Sequence, residues 1–165
     1  MKINIYFILV LLTSLLVANE PLIQKKKVPL TIALPLLKSI EQYSILVGSG
    51  PTQMYAFIDP ICPRSRDFVE MVLDNKNMQK LYTYHFFLFE LKRFHSSSYI
   101  AEILNSSHSI ELMKKVMVKK EKIQGLDKIP NNIQKKMNLI TNIAEQLDIN
   151  KRPYLFVVKP NKEDN

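Results

Sequence analysis

The 165-residue chain carries a single cysteine, Cys62, and only three histidines, His85, His95 and His108. One thiol excludes an intrachain disulfide framework and any cysteine-rich metal site. The histidines are scattered and share no ligand spacing with Cys62, so neither a metal centre nor a bound cofactor is expected. No internal repeat or low-complexity tract is present. Acidic residues are in deficit: 15 Asp and Glu stand against 23 Lys and Arg, a formal net charge of +8. The basic clusters, Lys25-Lys26-Lys27 and Lys114-Lys115 with Lys119-Lys120, have no interleaved aromatics and belong to no nucleic-acid-binding motif. They read as solvated surface, and no nucleic-acid partner is expected.

What the chain does have is hydrophobic residues, 47% of the total, to build the core of one domain. It opens Met1-Lys2-Ile3-Asn4 and then runs almost wholly apolar from Ile5 to Ala18. A short basic start, an apolar stretch and a small residue near its end predict a secretory signal peptide over 1–18, cleaved after Ala18. The alternative is an inner-membrane anchor formed by residues 3–18, a stretch short for a span of about 20 residues. Both readings place the domain outside the cytoplasm, periplasmic or secreted. Residues 19–39, with Pro21, Pro29 and the lysine triplet, read as a linker or N-terminal segment before a domain over 40–165.

Periodicity organises the rest. Leu34, Leu37 and Ile40 predict a helix over 34–43, with Pro35 in its first turn. Residues 44–47 and 53–58 read as strands joined like a hairpin through the turn Gly48-Ser49-Gly50-Pro51. After Pro63 the period changes, and Phe68, Val69, Val72 and Leu73 form one helical face. Residues 81–91 are the most strand-like, with Tyr82, Tyr84, Phe86 and Leu88 on one face and Phe87, Phe89 and Leu91 on the other. A strand apolar on both faces belongs in the middle of a covered sheet. Its aromatics read as core, and His85 as a packed, hydrogen-bonded residue rather than a base. Residues 97–122 read as two helical pieces broken at Asn105-Ser106-Ser107, and Gly125 to Pro130 as a loop. Ile133, Met137, Ile140, Ala144 and Leu147 mark an amphipathic helix, and 154–158 a last strand. This order argues an α/β domain with helices on both faces of one sheet.

Cys62 sits where strand pattern gives way to helix, in Asp59-Pro60-Ile61-Cys62-Pro63-Arg64-Ser65. A thiol at a helix N-terminus meets free backbone N–H groups and the positive end of the helix dipole, which favour the thiolate. Arg64 and Arg66 add positive charge within a turn, Ser65 offers a hydroxyl to the sulfur, and Asp59 opposes ionisation if close. Pro63 suits the first helical position. The spacing is that of a two-cysteine redox motif whose second cysteine is Ser65.

With these residues the chain resembles the thioredoxin-fold catalytic domain of periplasmic thiol:disulfide interchange proteins, especially the disulfide isomerase branch. The likeness spans roughly 40–158. It rests on 54–60 leading into Cys62-Pro63-Arg64-Ser65, the helical insertion over 97–147, and Lys151-Arg152-Pro153-Tyr154 before a strand. The resemblance implies a thioredoxin-like central sheet and a cis proline, Pro153, opening a strand beside Cys62. The family usually continues with a last strand and C-terminal helix, so either a trimmed domain or a reading frame cut short is expected here, and its N-terminal dimerisation domain is not expected in the about 20 residues after the signal. Cys62 and Ser65 are then the catalytic positions, and Pro63, Arg64, Arg152 and Pro153 bind substrate.

A thiolate attacking a disulfide forms a mixed disulfide, which a second motif cysteine would resolve. Ser65 cannot, so a dithiol oxidase is excluded. An isomerase or monothiol reductase remains, working on exported protein clients with a small thiol or a membrane thiol reductant as partner. The competing reading is a redox-inactive thioredoxin-fold chaperone or assembly factor for exported proteins; a structural subunit of an envelope complex is a third.

Overall fold

The computed structural model describes residues 28–160; the expected signal or anchor segment lies outside them. Among the described residues no helix is long and apolar enough to cross a membrane. Helix α1 (Leu30–Ile40) leads through a 3-10 turn (Glu41–Tyr43) into β1 (Ile45–Val47) and β2 (Thr52–Ile58). Helices α2 (Pro63–Asp74) and α3 (Lys76–Leu81) return the chain to β3 (Tyr82–Leu88). After a 3-10 turn (Lys92–Phe94) come α4 (Ser97–Asn105), α5 (Ser109–Met117), α6 (Asn131–Gln146) and finally β4 (Tyr154–Val158).

The four strands form one sheet in the order β1-β3-β2-β4. β2 and β3 run parallel, from Thr52 against Tyr82 to Ile58 against Leu88. Parallel neighbours need a crossover, and α2 with α3 supplies it. β1 lies antiparallel on the outer side of β3, and β4 antiparallel on the outer side of β2.

The sequence therefore misleads at one joint: β1 and β2 are not a hairpin, because β3 lies between them. The turn that reads as a hairpin passes instead across the start of β3. Ser49 N–H donates to the Gln79 carbonyl at 2.9 Å and Thr83 Oγ1 to the Gly50 carbonyl at 2.7 Å. A Cβ at Gly50 would lie 2.0 Å from the Leu81 carbonyl carbon, and Gly48 has φ +86°, so close approach demands glycine at both places.

Side-chain alternation splits the interior into two cores, one on each face of the sheet. On one face Met54, Ala56 and Ile58 of β2 join Tyr84, Phe86 and Leu88 of β3 beneath α2, α4 and α5. On the other, Tyr55, Phe57, Phe87 and Phe156 meet Ala33, Leu37 and Ile40 of α1. Helix α6 serves both: Ile133 and Met137 pack into the first core, Ile140, Ile143 and Ala144 into the second. The central, doubly covered position read for β3 holds.

Four boundaries differ from the sequence reading. α1 begins at Leu30 and buries Ala33 and Leu37, so residues 30–39 belong to the packed domain and Pro35 falls inside the helix. α3 was not expected; it exists because the Asn75 side chain accepts from the N–H groups of Asn77 and Met78, both at 3.1 Å. β3 stops at Leu88, short of residue 91, since the Leu91 N–H is taken by the Asp59 carboxylate rather than by a strand. α5 ends at Met117 rather than reaching 122, with Lys120 in the left-handed region at φ 57° just beyond it.

Candidate functional site

β2 delivers the site. Past Ile58 the chain turns sharply: the Asp59 carboxylate accepts from Ile61 N–H at 2.8 Å, and Cys62 N–H donates to the Asp59 carbonyl at 3.1 Å. Cys62 is left extended (φ −68°, ψ 122°) as the residue capping α2, with Pro63 at the first helical position where its missing N–H costs nothing. Its carbonyl accepts the Arg66 N–H at 3.0 Å, starting the helical ladder. Arg66 is committed elsewhere, its Nε donating to the Pro60 carbonyl at 2.8 Å.

Asp59 is wholly buried and ties three segments together. Besides Ile61, its carboxylate accepts from Leu91 N–H just past β3 and from Ser96 Oγ at 2.9 Å just before α4. One charge placed at the junction satisfies donors from two loops, which fixes the segment 91–96 relative to the cysteine turn.

Ser65 lies under the turn, wholly buried, and its Oγ accepts the Asp59 N–H at 3.2 Å. The hydrogen bond to sulfur expected from the sequence is not formed. A hydroxyl can accept as well as donate, and the nearest buried donor in need of a partner is this amide.

Cys62 is 2% exposed and forms part of the wall of a groove of about 730 Å³. The rest of the lining comes from Pro63 and Arg64, the 91–94 segment and residues 150–152. An adjoining hollow of about 390 Å³ extends past Phe89 toward α6, sharing Leu91, Lys92, Asn150 and Arg152 with the first.

Arg152 holds the groove's far side. It is 4% exposed, and its guanidinium lies over the Phe89 ring. Nη1 donates to the carbonyls of Lys151 at 2.9 Å and Ile149 at 3.4 Å, while the buried Nε has no partner. Burial pulls its pKa down to about 10, opposed chiefly by the charge of Asp59. Arg152 is thus a buried cation at physiological pH, in the lining of the groove that Cys62 also lines. The Arg152–Pro153 peptide bond is cis, and β4 starts at the next residue.

The structure thus gathers Cys62, Pro63, Arg64 and Arg152 in the lining of one groove, ties the buried Ser65 to the Asp59 N–H, and leaves Pro153 outside that lining, next in chain to Arg152. Sequence reasoning missed Lys92, Arg93 and Phe94 of the groove lining, where the only signal was a basic pair beside an aromatic shortly after β3; Phe89, read as core, packs against the second core and also lines the adjoining hollow. His85 lies away from the groove. Its Nε2 is 2.8 Å from Gln53 Oε1 and 3.3 Å from Glu41 Oε1, its ring stacks on Tyr55 at 4.7 Å, and burial lowers its pKa. His95 and His108 are exposed, and among the described residues no three His, Cys, Asp or Glu cluster as metal ligands.

No family model and no curated protein sequence matches this chain. Solved structures do. ScsC from Proteus mirabilis in a compact conformation superposes with TM-score 0.61 at 12% identity, over 94% of this chain and 84% of that one. DsbG from Helicobacter pylori gives 0.57 at 17% identity, over 78% of this chain and 61% of that one. A disulfide interchange protein from Neisseria gonorrhoeae gives 0.53 at 17% identity, over 74% and 91%. At these identities the likeness establishes the fold, a thioredoxin-like mixed sheet with helices on both faces, as the resemblance in sequence implied.

Proposed function

We propose that this protein carries out thiol–disulfide exchange through Cys62 alone, as an isomerase or monothiol reductase of exported proteins. The observation that carries the reading is the placement of Cys62: it caps a helix at the end of the central parallel pair, on a groove that Arg152, joined to Pro153 by a cis peptide bond, also lines. Ser65 leaves no second thiol in the chain, so each mixed disulfide is resolved by a thiol of the client or by an external one. Export is supported by the basic start and apolar run of residues 1–18.

The test is refolding of a scrambled (mispaired, fully oxidised) disulfide protein in a thiol buffer, with wild type and Cys62→Ser compared. Wild type should accelerate recovery and accumulate a mixed disulfide visible on a non-reducing gel; Cys62→Ser should do neither. The chaperone reading gains from one observation, the 2% exposure of Cys62. It takes precedence if the two proteins suppress client aggregation equally and neither speeds disulfide recovery.

A further inference from the structure

The groove's charge is one-sided. Arg64, Lys92, Arg93, Lys151 and Arg152 line it beside Cys62, and no acidic side chain is among the described residues of its lining. Asp59 lies beneath, but its carboxylate is already engaged by Ile61, Leu91 and Ser96. The acids of the adjoining hollow are Glu90 and Glu145, and Glu90 is held by the Ser97 N–H and Oγ at 3.1 and 2.6 Å. Arg152 meanwhile keeps a buried Nε with no partner, an unmet donor on a side chain that lines the groove. An unpaired buried donor is costly and marks a place where an acceptor is wanted. Arg93 stacks on Phe94 at 4.8 Å, which presents its guanidinium as a rigid arm rather than a freely wandering one.

Resting on the exchange reading above, we infer that the external thiol serving Cys62 is anionic: a small thiol bearing carboxylates, of the size of a γ-glutamyl tripeptide. A groove of about 730 Å³ accommodates such a molecule. Its carboxylates meet the lysine and arginine side chains while its sulfur reaches Cys62. The Cys62 thiolate first attacks a client disulfide; the client S–S bond breaks and its second sulfur leaves as a thiolate that takes a proton. The anionic thiolate then attacks Cys62 Sγ, freeing the client's first sulfur and leaving Cys62 joined to the small thiol. A second anionic thiolate attacks the small-thiol sulfur of that bond and returns Cys62 as thiolate. Two small thiols become one disulfide, and one client disulfide becomes two thiols.

The experiment measures how fast the reduced protein becomes mixed-disulfide-modified by glutathione disulfide, neutral hydroxyethyl disulfide and cationic cystamine, read by intact mass. Each rate is divided by that of the same reagent with mercaptoethanol. The expected order is anionic, neutral, cationic, with about 10-fold or more between the extremes at low salt and a narrowing gap at high salt. The double variant Lys92→Gln/Arg93→Gln should narrow the low-salt ratio too. Equal normalised rates, or a preference for cystamine, overturn the inference and leave exchange chemistry standing. Failure of all three reagents to modify Cys62 overturns both.

Discussion

The Arg152 guanidinium carbon sits 3.8 Å from the centre of the Phe89 ring, so this buried, groove-lining cation rests on an aromatic face. A desolvated contact of this kind is worth about 2 kcal/mol. Phe89→Leu should lower stability by about 1–2 kcal/mol, seen as a lower urea midpoint at unchanged slope. Arg152→Lys should not escape the loss, because an ammonium neither stacks as a plane nor reaches both carbonyls. A wild-type midpoint for Arg152→Lys would show that the stacking contributes nothing.

Asp59 sets the distance between the two walls of the groove. Asp59→Asn removes the charge from three hydrogen bonds and replaces one acceptor oxygen by a donor facing N–H or O–H groups. The expected cost is about 2–3 kcal/mol, in line with buried hydrogen bonds to charged groups. Hydrogen exchange should localise the loosening to residues 89–97 while β2 keeps its protection. Uniform loss of protection across the sheet would mean that Asp59 supports the whole fold and not this loop.

Ser65 separates two kinds of effect. Ser65→Ala strips the acceptor from the buried Asp59 N–H and should destabilise by about 1–3 kcal/mol. Ser65→Cys should rebuild a dithiol motif, so that mild oxidation removes two hydrogens by intact mass and trapped client adducts no longer accumulate. Persistent adducts in Ser65→Cys would show that position 65 cannot reach the sulfur.

Acidification should act through His85. Its folded-state pKa lies below the ordinary value near 6.5, chiefly from burial, with Glu41 partly opposing. Between those two pKa values the unfolded chain binds more protons than the native one, so stability rises with pH. The contribution is complete above the ordinary value and is lost as pH falls toward the folded one. His85→Gln should flatten that part of a stability–pH curve, measured by urea unfolding from pH 7 to 5; an unchanged slope would assign the dependence elsewhere.

Residues with one dominant role were legible in the sequence. β3 could be placed centrally because Tyr84, Phe86 and Phe87 leave it no polar face, and α6 because its stripe keeps a helical period from Ile133 to Leu147. Cys62 and Pro63 announced a helix start after a strand. Strand order was not legible, since Gly48 and Gly50 suit a tight hairpin and a close crossing equally well, and only the position of Leu81 and Tyr82 decides between them. Ser65 was misread for a similar reason: a hydroxyl states that it will bond, not in which direction. The Lys92–Phe94 wall escaped notice because it joins the site through Asp59, a contact 32 residues distant in sequence at Leu91.

On the exchange reading proposed above, the depth of Cys62 bears on which bonds the protein could touch. A sulfur with 2% of its residue's surface open to solvent, at the wall of a groove, would be met most readily by pliant segments that can enter that groove. Cystines packed inside correctly finished proteins are rigid and shielded by their own neighbours, and they do not fit such an approach. Mispaired cystines in slack, half-made chains do. Under that reading, selection of this sort would require no recognition of sequence, only the geometry of entry.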